Sequence, residues 1–130
     1  MAHIDGEVNI CVISVWFGRL PSYLPYFLKT CTANHYIDWM LISDQQLPSP
    51  SSENIRAMAL TKTSFADLAS KRLGFDVTID DPYKVCDFKP LFGKIFQDQL
   101  QSYEYWGYCD LDMVFGNISK HIQPVLVENP

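Results

Sequence analysis

Two aspartates one residue apart, Asp110 and Asp112, follow the aromatic run Tyr105-Trp106-Gly107-Tyr108-Cys109 and precede Met113-Val114-Phe115-Gly116-Asn117. In a β-strand, side chains at i and i+2 point to the same side, so the two carboxylates can converge on one hard cation where the strand ends. Oxygen ligands of this kind suit Mg²⁺ or Mn²⁺, and such ions beside one or two carboxylates commonly hold phosphate oxygens. Eleven of the 130 residues are Asp, so about one Asp-x-Asp arises by chance, and the triplet alone also fits a solvated turn or a helix cap. The apolar approach and the Phe115-Gly116 exit supply the context for a strand that emerges from a core.

The elements that must position these carboxylates can be followed along the chain. Val8 to Trp16 is a nearly continuous apolar run, as in a strand covered on both faces of a parallel sheet. It ends at Phe17-Gly18-Arg19, and a helix is expected from Pro21 to about Thr32, with Tyr23, Tyr26, Phe27 and Cys31 at helical spacing and Pro25 in its first turn. A second strand, Tyr36 to Ser43, delivers Asp44, and a Pro- and Ser-rich loop runs from Gln45 to Ser52. A short strand from Asn54 to Leu60 follows. Thr63 or Ser64 then caps a helix with Phe65, Leu68, Ala69 and Leu73 inward and Gly74 as its stop.

Phe75 to Ile79 reads as one more short strand, with Asp80-Asp81-Pro82 as the turn out of it. From Asp87 to about Leu100, Phe88, Leu91, Phe92, Ile95, Phe96 and Leu100 recur at amphipathic helical spacing, with Asp87 as N-cap and Pro90 in the first turn. Alternating strands and helices predict a single α/β domain over residues 1–130, a mainly parallel sheet with helices on both faces. Ligands in such sheets bind at the carboxyl ends of the strands, beside a switch in strand order. The Phe17-Gly18-Arg19 loop, Asp44 and the Asp110/Asp112 pair are all expected at that edge.

Composition narrows the function classes. Hydrophobic residues make up 48% and aromatics 14%, which supplies a core and excludes a disordered chain. The formal net charge is −5 and the ten Lys and Arg residues are scattered, which leaves no footprint for nucleic acid. A nucleotide remains compatible, because a bound divalent cation reverses the local sign of an acidic pocket. Cys11, Cys31, Cys86 and Cys109 form no close pair and read as reduced thiols. With no basic leader and no apolar run of membrane-spanning length, a cytoplasmic location is expected.

The blocks Pro82-Tyr83-Lys84-Val85-Cys86-Asp87-Phe88-Lys89-Pro90 and Trp106-Gly107-Tyr108-Cys109-Asp110-Leu111-Asp112-Met113-Val114-Phe115-Gly116-Asn117 resemble the GT-A glycosyltransferases. The likeness is to a bacterial branch of nucleotide-diphospho-sugar transferases linked to surface-polysaccharide synthesis. It implies a GT-A-like, Rossmann-like fold that takes a sugar from a UDP- or GDP-sugar to a saccharide acceptor with Mn²⁺ or Mg²⁺. It further implies that the loop Phe17, Gly18, Arg19 covers base and ribose, that Asp44 bonds the nucleoside, and that Asp87 and Lys89 face the donor sugar or its phosphates. Asp112 would ligate the metal most directly, with Asp110 on the ribose or on a metal-bound water.

A GT-A domain continues past its Asp-x-Asp into an acceptor half, so the resemblance covers the donor-binding portion only. On residue statistics alone, Asp87 is equally a helix cap, Lys89 a solvated lysine, and Trp16, Phe17 and Trp106 core aromatics. Two other classes compete with the transferase. One is a non-catalytic binding or interaction domain; the other is a haloacid-dehalogenase-type phosphatase, whose Asp-x-Asp stands nearer the N-terminus and precedes Gly-Thr rather than Met113-Val114. His121 lies in a polar stretch and is expected to be exposed, and Asn117-Ile118-Ser119 has the form of a glycosylation acceptor without a secretion signal.

Overall fold

A computed structural model describes residues 9–48 and 52–128. Among them, four strands form one all-parallel sheet in the order β3-β2-β1-β4: β1 Ile10–Trp16, β2 Ile37–Ser43, β3 Ile55–Ala59 and β4 Tyr105–Tyr108. Helix α1 (Leu24–Ala33) links β1 to β2, and α2 (Lys62–Leu73) follows β3. A 3₁₀ segment (Pro82–Leu91) and the single turn α3 (Phe92–Ile95) lead back across to β4, and α4 (Ile118–Glu128) closes the described chain. The fold is therefore α/β, with a parallel sheet covered on both faces.

Strand alternation sorts the side chains into two cores. Cys11 and Ile13 of β1, with Met40 and Ile42 of β2, face Phe65 and Ala69 of α2 and Phe92, Ile95 and Phe96. Ile10 of β1, with Ile37, Trp39 and Leu41 of β2, faces Leu24, Phe27 and Cys31 of α1 and the segment from Leu111 to α4. Because β1 and β2 are buried on both faces, their sequences are mostly apolar rather than alternating, broken by Ser14 in β1 and by Asp38 and Ser43 in β2.

Two buried asparagines fix how these layers join. Asn54 donates through Nδ2 to the carbonyls of Cys31 at 3.0 Å and Ile37 at 3.0 Å, tying the start of β3 to the end of α1 and the start of β2. Asn34 donates to the Gly116 carbonyl at 2.8 Å and accepts from the Ile118 N–H at 2.9 Å, so the C-cap of α1 also holds the entry to α4.

Several elements differ from the sequence expectation. The first helix starts at Leu24 rather than Pro21, and its buried face is Leu24, Phe27 and Cys31, leaving Tyr23 and Tyr26 exposed. Thr61, not Thr63 or Ser64, caps α2 by accepting from the Ser64 N–H at 3.0 Å; Gly74 ends it at φ +80, as expected. Phe75 to Ile79 is not a strand: Val77 and Ile79 are buried, but the Val77 N–H donates to Ser70 Oγ at 2.8 Å instead of to a strand neighbour.

The long helix expected from Asp87 is instead the 3₁₀ segment, one turn of α3 and further turns. The segment opens earlier, at Pro82, with the Asp81 carboxylate accepting from the Tyr83 N–H at 2.9 Å, so Pro90 falls in its interior. A proline there lacks the N–H an α-helix needs and clashes with the carbonyl four residues back. Phe92, Ile95, Phe96 and Leu100 still reach the core, whereas Leu91 stays exposed. Val8 and residues 49–51 of the Pro/Ser loop lie outside the described residues. Helix α4 has no counterpart in the expectation; Asn117 caps its start by accepting from the Lys120 N–H at 3.2 Å, and His121 is exposed on it.

Candidate functional site

The strand order places the site. From β1 the chain moves through α1 to β2 and on to β3, then returns to lay β4 on the other side of β1. The switch point is the carboxyl end of β1 between β2 and β4, where crevices form outside the strand ends. Ser14, buried in β1, donates its hydroxyl to the Cys109 carbonyl at 2.9 Å, and the Cys109 N–H donates to the Ile13 carbonyl at 3.2 Å. These bonds fasten the start of the aspartate loop to β1.

The carboxylates are not on the strand. β4 ends at Tyr108, and Asp110 and Asp112 stand in the loop that leaves it. Leu111 between them is buried against the α1 core, and both aspartates are exposed.

Asp110 accepts a short charge-assisted hydrogen bond from the Lys89 ammonium. Lys89 is only 20% exposed, and Asp110 57%. Its neighbour Phe88 packs edge-on against Phe65 at 6.1 Å, which fixes the root of the lysine. The bond from Asp110 raises the Lys89 pKa above its ordinary value against the opposing effect of burial. Asp112 makes no hydrogen bond or ion pair among the described residues.

On the β2 side, the Gly18 N–H donates to Asp44 Oδ1 at 2.9 Å, and Gln45 Nε2 donates to the same oxygen at 3.2 Å. Gly18 has φ +94, a conformation that favours glycine, and no atom lies within 4 Å of where a Cβ would stand. The loop after β1 is thus tied to the loop after β2. Arg19 is exposed, its carbonyl accepting from Trp16 Nε1 at 2.9 Å.

Two expected site residues are placed differently. Phe17 is buried and meets Phe65 edge-on at 5.9 Å, so its ring belongs to the α2 core and the loop would approach a ligand through Gly18 and Arg19. Asp87 is not a helix N-cap; it pairs with Lys84 at 3.0 Å on the 3₁₀ segment. The structure therefore brings together Gly18 with Asp44, and Lys89 with Asp110, on the two sides of the β1 end.

Sequence reasoning missed Asp38, a carboxylate 2% exposed in β2 that accepts from the Tyr103 hydroxyl and lies 3.7 Å from Arg56. It sits near the amino end of its strand, away from the switch point, and only its place inside an apolar run could have marked it. A cavity of about 540 Å³ also lies between β4 and α4, lined by apolar groups including Trp39, Tyr105, Met113 and Leu126. Neither Asp110 nor Asp112 lines it.

Among the described residues, no three His, Cys, Asp or Glu side chains gather as a self-sufficient metal site. The donor set of Asp110 and Asp112 fits a hard cation that completes its shell with phosphate oxygens and water, as Mg²⁺ does in nucleotide sites. Asp110 is already paired with the Lys89 ammonium, so a cation binding there would have to displace that partner.

Together these features define an α/β domain with an all-parallel sheet and an acidic, lysine-bearing edge at its switch point. The chain belongs to the family described as "Family of unknown function (DUF6625)", which matches residues 12–130. No curated protein and no solved structure matches it. No helix among the described residues is long and apolar enough to cross a membrane.

Proposed function

We propose that the chain is the donor-binding portion of a GT-A-like, metal-dependent glycosyltransferase. It takes a nucleoside-diphosphate sugar, with UDP or GDP as the leaving group, for transfer to a saccharide in polysaccharide assembly in the cytoplasm. The observation that carries this reading is the position of Asp110 and Asp112, in the loop leaving β4 beside the end of β1. Lys89 stands on one of these carboxylates, and the Gly18–Asp44 contact lies on the opposite flank of β1.

Each residue has a physical task in this reading. Asp112 and Asp110 would hold Mn²⁺ or Mg²⁺, whose chemistry when bound is to stabilise the charge of a departing diphosphate. Lys89 supplies a fixed positive charge for phosphate oxygens, in a site where charge–charge interactions are stronger than in bulk water. Asp44, held by the Gly18 N–H, offers its remaining lone pairs to ribose or base donors.

One observation favours a second reading. β4 forms an edge of the sheet, and its Trp106 and Tyr108 are 38% and 48% exposed. An apolar strand edge can pair with another chain, which would suit a non-catalytic binding domain.

Thermal-shift titration with UDP, GDP and their sugars, with and without Mn²⁺, tests the donor site, because a ligand of the native state raises the melting temperature by mass action. The expected result is stabilisation that needs both metal and nucleotide and is lost in Asp112→Asn. A cooperative melt that no nucleotide shifts would sink the donor-site reading and leave the interaction domain.

A further inference from the structure

Resting on the donor-site reading, we propose that Lys89 and Asp110 form an exchangeable ion pair that makes metal and diphosphate binding mutually dependent. The argument starts from placement. Lys89 is held on the 3₁₀ segment between Phe88, packed on Phe65, and Pro90, with four-fifths of its side chain covered. Its ammonium is therefore positioned by the fold rather than left to solvent, and it meets Asp110 from across the crevice, 21 residues away in sequence.

Each ligand arriving alone meets the wrong charge. A divalent cation reaching Asp110 has to displace the ammonium and leave it beside a second positive charge, with the neighbouring exposed Asp112 to compensate. A diphosphate reaching Lys89 has to break the same ion pair and face both Asp110 and Asp112. When the two arrive together, the ammonium transfers to phosphate oxygens and Asp110 transfers to the cation, so every charge is paired again. Binding of either ligand then strengthens binding of the other by the same factor.

Among the described residues no third His, Cys, Asp or Glu joins the two carboxylates, so a cation there would complete its shell with phosphate oxygens and water. Lys89 is thus a specificity-determining residue. It selects against metal alone and against nucleotide alone.

The test is calorimetric titration of MnCl₂, of UDP and of GDP, separately and in combination, with free Mn²⁺ followed in parallel by its solution EPR signal. In the wild type, each ligand's affinity should rise about tenfold or more when the other is saturating, within the usual range of coupling between sites. In Lys89→Met, Mn²⁺ alone should bind more tightly, nucleotide more weakly, and the coupling factor should fall toward one. Asp110→Asn, which frees the ammonium without removing it, should instead tighten nucleotide binding in the absence of metal. A coupling factor in both variants equal to the wild-type value overturns the exchange while the donor site stands. A wild-type protein that binds neither metal nor nucleotide overturns both readings.

Discussion

Gly93→Ala is a small change with a sharp structural consequence. A Cβ built on Gly93 has as its three nearest neighbours atoms of the Trp106 indole, all far inside van der Waals contact. Gly93 is in α3 and Trp106 in β4, so the methyl would push apart the two elements that flank Lys89 and the aspartate loop. The indole is 38% exposed, so it can swing outward in part, which places the cost at about 1–3 kcal/mol, as for other overpacked contacts. For a domain of this size that lowers the melting temperature by roughly 3–5 °C per kcal/mol.

The decisive comparison is the double variant with Trp106→Ala. Once the indole is gone the three nearest obstacles to the methyl are gone, and alanine should be close to neutral or stabilise α3 by up to about 1 kcal/mol through helix propensity. Urea unfolding of the four species measures the coupling directly. The metal- and nucleotide-dependent thermal shift should weaken in Gly93→Ala, because a displaced α3 carries Lys89 away from Asp110. An equal effect of the methyl in both backgrounds would refute the close approach.

Two further outcomes follow from buried groups. Burial raises the thiol of Cys11 to about 12 and pushes the Cys109 thiol up as well. Since the unfolded chain releases these protons first, their contribution is fully present below the ordinary thiol pKa near 9. For Cys11 it is lost as pH rises toward about 12, at a cost of up to about 1.4 kcal/mol per pH unit in that window. Denaturant midpoints should therefore fall steadily above pH 9, and at pH 8 only exposed Cys86 should react rapidly with a thiol reagent until the protein is unfolded; fast modification of Cys11 or Cys31 in the native state would contradict the burial. Tyr103→Phe removes the hydroxyl that Asp38 accepts from, leaving a buried carboxylate short of a donor. It should cost about 1–3 kcal/mol in urea unfolding, and less in an Asp38→Asn background; an additive pair would show that the bond contributes nothing.

The legible parts of this fold are those set by local physics. β1 and β2 announce themselves because burial on both faces leaves no polar interruption from Ile10 to Ser14 or from Trp39 to Ile42 beyond Ser14 itself. Gly74 was readable as a stop because a left-handed terminus favours glycine. The region from Asp81 to Leu100 was not, since its apolar spacing is the same whether Phe92, Ile95 and Phe96 ride a regular helix or a bent path; the earlier opening at Pro82 decides the matter by moving Pro90 inside. Val77 and Ile79 misled in a similar way, their alternate burial being that of a strand while their backbone bonds to Ser70. At the site, the positions of Asp44 and Asp110 at strand ends were visible in sequence. Their partners Gly18 and Lys89 were named only as ligand-facing residues, because a contact across 26 or 21 residues of chain is set by topology rather than by spacing.

The loop geometry also changes what the Asp-x-Asp pattern means here. On a strand, two carboxylates share a side because the pleat repeats every two residues. β4 pairs with β1 over only four residues, Ile10 to Ile13, and the ladder gives way where the Ser14 hydroxyl takes the Cys109 carbonyl. Past that point the loop is anchored by one buried side chain, Leu111, packed in the core formed with α1, and then by Phe115, whose tilted ring lies 5.2 Å from that of Trp39. The carboxylates are thus held by anchors on both sides, Ser14 before them and Leu111 with Phe115 among and after them, while the loop between remains free of the sheet ladder. A ladder would fix Asp110 and Asp112 in one spacing. In the proposed exchange, Asp110 would turn from the Lys89 ammonium toward an incoming cation, and its place in an anchored loop means that this turn would break no strand pairing.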